Sequence, residues 1–235
     1  MRYIDKTNRH VDFDAFCNEI KKRLKDWNDL KSKRNKAKVR GNGIQMALFQ
    51  HLWLQQKGLC IYCQQEIIEK KQPYTTPDAT IAQIEHICPQ SICKDLIFEQ
   101  NNLVVSCEGF NLSQPTETEK RRNFCGHYKD NSSKGNSYDE LLFLNPTTIN
   151  NVEDYFYYNS SGEITPNPSQ SVEKQAQATY MIKTLGLDNP ILNAMRKEQY
   201  DIFFLNYSST WENSILDESM LTLPAFHSML KSKFL

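Results

Sequence analysis

Four cysteines constrain the fold of this 235-residue chain more than any other feature of its sequence. Cys60 and Cys63 are separated by two residues in GLCIYC, and Cys107 and Cys125 follow downstream. A CxxC pair by itself also fits a redox dithiol or two buried thiols. The second pair favours a structural zinc site, because four thiolates complete a tetrahedral zinc ion. The sequence therefore predicts zinc held by all four cysteines.

The three remaining cysteines are interpreted as packing residues. Cys17 lies on the apolar side of a predicted helix, while Cys88 and Cys93 flank a short loop. The N-terminal residues MRYIDKTNRHVDF lack the apolar stretch of a secretory signal, and no apolar run reaches the roughly 18 residues of a membrane span. We therefore expect a cytoplasmic protein with mostly reduced thiols. A zinc site that uses Cys88 or Cys93 stays open as an alternative.

Charge is distributed unevenly, although 28 basic and 28 acidic residues give a net charge of zero. Residues 21–40 contain ten bases and two acids. Such a segment would attract a phosphate backbone through counterion release. It is equally typical of a solvated helix face.

Hydrophobic spacing predicts an α+β fold. Helices are expected over 12–30 and 44–57, where Gly41 and Gly43 interrupt the pattern before the second helix and Gly58 ends it. Short strands are expected in TIAQIEHI and NLVVSC, and further helices follow after residue 171. We predict a basic helical segment at 1–43, a central domain at 44–137 and a mainly helical region at 138–235.

Glu85 and His86 are adjacent in IEHICP, near the end of the first predicted strand. Neighbouring side chains on a strand point to opposite faces, so both reach one site only where the strand ends or twists. A single histidine among apolar residues is more often structural. The adjacent acid, the flanking cysteines and Asn102 in NNLVVSC favour a catalytic role here.

The motifs GLCIYC, IEHICP, NNLVVSC and CGHYK, in this order, resemble those of HNH endonucleases with the ββα-metal fold. The longer resemblance is to HNH proteins of the PtuB type from Septu and retron antiphage defence operons. It extends to NPTTINNVEDYFYYNSSGEITPNP and to ATYMIKTLGL with the following Arg196, and covers most of residues 44–200. It implies a ββα-metal nuclease core with a zinc knuckle at 44–137, embedded among flanking helices.

The resemblance also implies roles for individual residues. His86 is expected to be the general base, Glu85 a ligand of a catalytic Mg²⁺ or Mn²⁺ ion, and Asn102 an orienting residue. His127 is the expected second ligand, although it stands one place later than in many relatives, and Asn111 or Asp130 are alternatives. Cleavage by metal and water would leave a 5′ phosphate and a 3′ hydroxyl.

Nucleic-acid contacts are expected from basic residues near this site. The insertion between Cys107 and Cys125 carries Lys120, Arg121 and Arg122, and Lys129 follows in CGHYK. The aromatic run 155–158 has two interpretations, base stacking or, preferably, core and partner contacts.

The resemblance implies partners as well. They are a PtuA-type ABC ATPase, with docking on the C-terminal third, and in a retron setting a reverse transcriptase and its RNA-linked DNA. The substrate, DNA or RNA including tRNA, stays open. Two other classes remain: a non-catalytic zinc-binding nucleic-acid module, in which His86 is structural, and a thiol redox protein built on Cys60 and Cys63.

Overall fold

The computed structural model describes residues 1–20, 27, 30, 36–67, 82–109, 124–129, 138–205 and 217–234. Helices and short antiparallel strands alternate along these residues, which confirms the α+β class. The helices are α1 Val11–Ile20, α2 Lys36–Gln55, α3 Gly126–Lys129, α4 Val172–Leu185, α5 Pro190–Leu205 and α6 His227–Phe234. The strands are β1 Ala82–His86, β2 Leu103–Cys107, β3 Phe156–Tyr158 and β4 Ile164–Pro166.

Strands β1 and β2 form the antiparallel pair that carries the predicted site, with Glu85 opposite Val104 and His86 opposite Leu103. All five β2 residues are buried, as expected of a strand covered on both faces. The side chain of Gln56, just beyond α2, accepts a hydrogen bond from Val105 N at 2.7 Å and donates one to Val105 O at 2.8 Å. This amide satisfies two buried backbone groups and fixes α2 against β2.

Helix α2 begins earlier than the sequence predicts. The expected interruption at Gly41 and Gly43 is wrong, because the helix runs from Lys36 through both residues. A glycine inside a helix costs only about 1 kcal/mol relative to alanine, so it weakens a helix without ending it. The predicted stop is confirmed: Gly58 follows the helix with a φ of 75° and donates its N–H to Trp53 O.

The C-terminal helices pack on the second strand pair, β3–β4. Helix α4 is capped by Ser171, whose hydroxyl accepts from Lys174 N, and is followed by the left-handed Gly186. Arg196 of α5 is almost fully buried and donates to Leu187 O and Gly162 O. The bond to Gly162 O attaches α5 to the turn between β3 and β4, and the bond to Leu187 O attaches it to the connection after α4. Among the described helices, none combines the length and apolarity needed to cross a membrane.

Lys6 supports the start of β2 from the N-terminal segment. Its ammonium group donates to Leu103 O at 2.8 Å and to Gln55 Oε1 at 3.1 Å. Burial lowers the pKa of Lys6 from 10.5 to about 7. Between these two values the unfolded chain binds a proton that the folded chain has released, so this lysine makes stability rise with pH.

We therefore expect the free energy of unfolding to increase between pH 7 and pH 9 more in the native protein than in Lys6→Met. Urea unfolding at several pH values measures this difference. Because Lys6→Met retains every other titrating group, it is the matched control. Identical pH dependence in the two proteins would show that Lys6 stays protonated in the fold.

Candidate metal centre and active site

The four cysteines predicted from the sequence lie together in the structure. Their sulfur atoms are all within 4.8 Å of one another, and all four residues are buried. Cys60 Sγ lies 3.8 Å from Cys125 Sγ, and Cys63 Sγ lies 3.7 Å from Cys107 Sγ. Zinc–sulfur bonds of about 2.3 Å in a tetrahedron separate the sulfurs by about 3.8 Å. The donor set and its spacing therefore fit one zinc ion.

Local backbone geometry produces this arrangement. Cys60 and Cys63 lie on a tight turn in which Gln64, with a φ of 64°, donates its N–H to Cys60 O. From β2, Cys107 N donates to Cys60 Sγ at 3.3 Å, a bond that stabilises a thiolate. Cys125 adopts a φ of 64° immediately before α3, and its N–H is held by Leu185 O.

Burial favours neutral thiols at this centre unless a cation is bound. Burial raises the pKa of Cys107 and of Cys125 well above the usual thiol value. Several thiolates cannot be buried together without a compensating positive charge, because transfer of an ion out of water is costly. A zinc ion would supply that charge and would couple its binding to folding.

Glu85 lies in β1, and its side chain points towards α3. The residue is buried, with 3% of its surface exposed. Its Oε1 lies 2.9 Å from Lys129 Nζ and accepts a hydrogen bond from Tyr62 at 3.4 Å. A Cβ atom on Gly126 would lie 2.5 Å from Glu85 Oε2. Any larger residue at position 126 would therefore displace the carboxylate.

Lys129 is enclosed, with 2% of its surface exposed. Besides Glu85, its ammonium group donates to His86 O at 2.8 Å and to Ile87 O at 3.0 Å. The sequence predicts a nucleic-acid contact at this lysine, but in this conformation the ammonium group faces the end of β1. It compensates the charge of Glu85 and fixes the backbone of His86.

His86 enters different surroundings from those of Glu85. Its Nε2 lies 3.0 Å from Ile97 O, and its Nδ1 lies 3.4 Å from Gln90 Nε2. The ring also meets Trp27 edge to face at a centroid distance of 5.0 Å. Because a carbonyl oxygen only accepts hydrogen bonds, we assign the ring proton to Nε2. The lone pair then lies on Nδ1, beside the half-buried amide of Gln90.

Asn102 organises residues 87–102, which connect β1 to β2. Its Oδ1 accepts from Cys88 N at 2.8 Å, and its Nδ2 donates to Cys88 O at 3.1 Å and to Leu96 O at 3.2 Å. Three bonds from one side chain hold both arms of this connection. This geometry suits an orienting residue.

His127 is paired with an acid that the sequence analysis did not single out. His127 Nε2 lies 2.8 Å from Glu108 Oε2, and the carboxylate is 8% exposed. The sequence feature that could have identified Glu108 is its position directly after Cys107. The shared role of His127 and Glu85 as metal ligands stays a prediction.

Several predicted residues lie outside the described part of the chain. They are the basic residues Lys120, Arg121 and Arg122, and the alternative ligands Asn111 and Asp130.

The interpretation of Cys88 and Cys93 as reduced packing residues is wrong, because the two form a disulfide. Ile92 N and Cys93 N both donate to Pro89 O, and this turn brings Cys93 back to Cys88. The bond also removes both residues from the alternative zinc site. Cys17 is a free, half-buried cysteine, as predicted.

Comparison with known proteins gives one informative similarity. No family model matches the chain. Over 174 residues it is 28% identical to a protein of Vibrio cholerae serotype O1 biovar El Tor that carries the name "Retron Vc95 putative HNH endonuclease". The match covers 73% of this chain and 72% of the relative. The chain is therefore similar to a protein named as a nuclease of a retron.

Proposed function

We propose that this chain is a metal-dependent HNH endonuclease of the PtuB type that hydrolyses phosphodiester bonds in nucleic acid. The observation that carries the proposal is His86 at the end of β1, with Nε2 held by a carbonyl and the basic Nδ1 turned to Gln90. A histidine fixed in this tautomer suits a general base, because the lone pair of a neutral imidazole can accept a proton.

The surrounding fold supports this role. Strands β1 and β2 and helix α3 follow one another in the order of a ββα-metal unit. The four cysteines lie at the start of this unit and within it, so a zinc ion would join its parts. The similarity to a protein named as an HNH endonuclease supports the same assignment.

A catalytic Mg²⁺ or Mn²⁺ ion would be held by Glu85 and His127, and we propose Glu108, the partner of His127, as a further ligand. Carboxylate oxygen suits both ions, and imidazole suits Mn²⁺. Glu108 Oε2 and His127 Nε2 lie 2.8 Å apart, close to the roughly 3 Å between adjacent ligands of an octahedral ion. When bound, the ion would neutralise charge on the phosphate and on the departing 3′ oxygen.

The chain's own residues would perform the remaining steps. His86 Nδ1 accepts the proton of the attacking water, and the bond from Nε2 to Ile97 O keeps the ring in place. Lys129 holds the carbonyl of His86 and so fixes the end of β1. Asn102 keeps residues 87–102 folded against the imidazole.

We further propose that the nuclease acts in the cytoplasm as the effector of an antiphage defence system, with a PtuA-type ABC ATPase. In a retron setting, a reverse transcriptase and its RNA-linked DNA would join the complex. The region after residue 138 presents exposed apolar side chains that suit docking, including Leu141 at 84% and Leu205 at 82% exposure.

The test is a cleavage panel with the native chain, with and without its ATPase. Each preparation is incubated with plasmid, single-stranded DNA or total tRNA in Mg²⁺ or Mn²⁺, beside His86→Ala. The proposal predicts cleavage by the native chain, and the panel identifies the polymer. A zinc-loaded complex that cuts nothing, while His86→Ala binds nucleic acid as well as the native protein, would instead indicate a zinc-binding nucleic-acid module.

A further inference from the structure

The disulfide between Cys88 and Cys93 lies two residues beyond His86 in the connection between β1 and β2. The two Cα atoms are 5.9 Å apart. Cys88 is buried, whereas Cys93 is half-buried. One end of the bond is therefore enclosed beside the candidate active site, and the other end belongs to a residue that is partly exposed to solvent.

Hydrogen bonds connect this disulfide to the imidazole of His86. Cys93 O accepts from Leu96 N at 3.0 Å, and Leu96 O accepts from Asn102 Nδ2 at 3.2 Å. The next carbonyl, that of Ile97, lies 3.0 Å from His86 Nε2. A displacement of Cys93 would therefore reach, four residues further on, the carbonyl group that fixes the tautomer of His86.

Cys88 itself does not depend on the disulfide for its position. Asn102 binds both its N–H and its carbonyl, and Lys129 binds the carbonyl of Ile87 just before it. Opening the bond would therefore remove one restraint from the arm that begins at Cys93, which keeps its bonds to Pro89 O and Asn102 Nδ2, while the arm at Cys88 stays fixed. The loosened arm is the one that carries Ile97 O.

The other thiols are poorly placed for oxidation. The four zinc-site cysteines are buried and mutually in contact. Burial, with smaller contributions from Asp14 and Glu99, raises the pKa of Cys17 to about 12, which leaves almost no reactive thiolate at neutral pH. Cys88 and Cys93 are therefore the pair that can exchange with an external oxidant.

We propose that Cys88 and Cys93 form a reversible thiol-oxidation site whose state controls how firmly residues 93–97 hold His86. A hydroperoxide oxidises the Cys93 thiolate to a sulfenic acid and leaves as an alcohol or, for hydrogen peroxide, as water. The Cys88 thiolate then attacks the Cys93 sulfur, forming the S–S bond and releasing the second oxygen as water. A dithiol reverses the reaction by exchange and takes up the disulfide oxidation state itself.

The functional part of this inference rests on the proposed nuclease. In the oxidised form Ile97 O is held against His86, so the base is ordered before substrate binds. In the reduced form the arm from Cys93 moves, and the imidazole loses part of that support. Cleavage should therefore fall about three- to tenfold on reduction and recover on oxidation.

The experiment uses zinc-loaded full-length protein treated with dithiothreitol, then with hydrogen peroxide or buffer. Free thiols are trapped with N-ethylmaleimide and located by peptide mass spectrometry, and hydrogen exchange is recorded for each form. We expect a cross-linked Cys88–Cys93 peptide after peroxide, two labelled thiols after dithiothreitol, and faster exchange at 93–97 in the reduced form. Cys93→Ser should show the fast exchange in both conditions, and Cys17→Ser should behave like the native protein.

Two results would overturn the inference. The first is that N-ethylmaleimide still labels Cys88 and Cys93 after peroxide treatment. The second is that the disulfide forms but hydrogen exchange at 93–97 is unchanged. Cleavage is scored separately. If the disulfide forms and breaks reversibly and hydrogen exchange at 93–97 changes with it, but neither form cuts nucleic acid, the nuclease proposal fails and the oxidation site stands. If the protein cuts nucleic acid equally in both forms, the control of His86 is refuted and the nuclease stands.

Discussion

Replacing His86 with alanine is expected to lower the rate of phosphodiester cleavage by about 10²–10⁴, the usual contribution of a general base. The physical reason is the loss of the Nδ1 lone pair, which would accept the proton of the attacking water. Zinc content should stay at the native level, because the clustered ligand set consists of four cysteines and His86 is bound to Ile97 O. Initial rates on a labelled oligonucleotide, with zinc content determined in the same samples, measure both effects.

Gln90→Ala is the matched control for this variant. Gln90 meets the same ring nitrogen through a long contact of 3.4 Å, but it has no group that can act as a base at neutral pH. We expect its cleavage rate to stay within about threefold of the native rate. Native-like cleavage by His86→Ala, or an equal loss in both variants, would exclude His86 as the general base.

Replacing Cys63 with serine is expected to remove zinc and unfold the region around β1, β2 and α3. Serine keeps the size of the side chain but does not supply a thiolate, and three buried sulfurs hold zinc far less well than four. Structural zinc in small domains contributes about 10–16 kcal/mol of apparent binding free energy at neutral pH. We expect a melting temperature lower by more than about 10 °C, and less than one zinc ion per chain.

Elemental analysis and thermal melting followed by circular dichroism measure this effect. Cys17→Ser is the control, since it removes a free thiol of α1 that lies outside the quartet. It should keep about one zinc ion per chain. Full zinc content in Cys63→Ser would show that the quartet is not the metal site.

The parts of this fold that were predictable have short-range signals. The spacing of Cys60 and Cys63 places two sulfurs on one turn, and the short segments TIAQIEHI and NLVVSC mark β1 and β2. Helix α4 has a capping residue at each end, Ser171 at the N-terminus and the left-handed Gly186 at the C-terminus. Each of these features depends on neighbours within a few residues, so pattern and propensity suffice.

The missed features depend on partners that are distant in the sequence. Lys129 points inward because Glu85, 44 positions earlier, needs a compensating charge when it is buried. His127 meets Glu108 only because α3 packs beside the end of β2. The disulfide is a local exception, because Cys88 and Cys93 are five positions apart and Pro89 makes the turn that joins them. Spacing alone does not distinguish that turn from an open loop.

The most direct test of the central claim is the chemistry of the ends that the protein produces. Zinc-loaded native protein would be incubated with end-labelled single-stranded DNA and RNA in Mn²⁺, and new ends identified by phosphatase and ligase sensitivity. The account predicts a 5′ phosphate and a 3′ hydroxyl on every product, with cleavage abolished by EDTA. A 2′,3′-cyclic phosphate on cut RNA, with intact DNA and no need for a divalent ion, would contradict it.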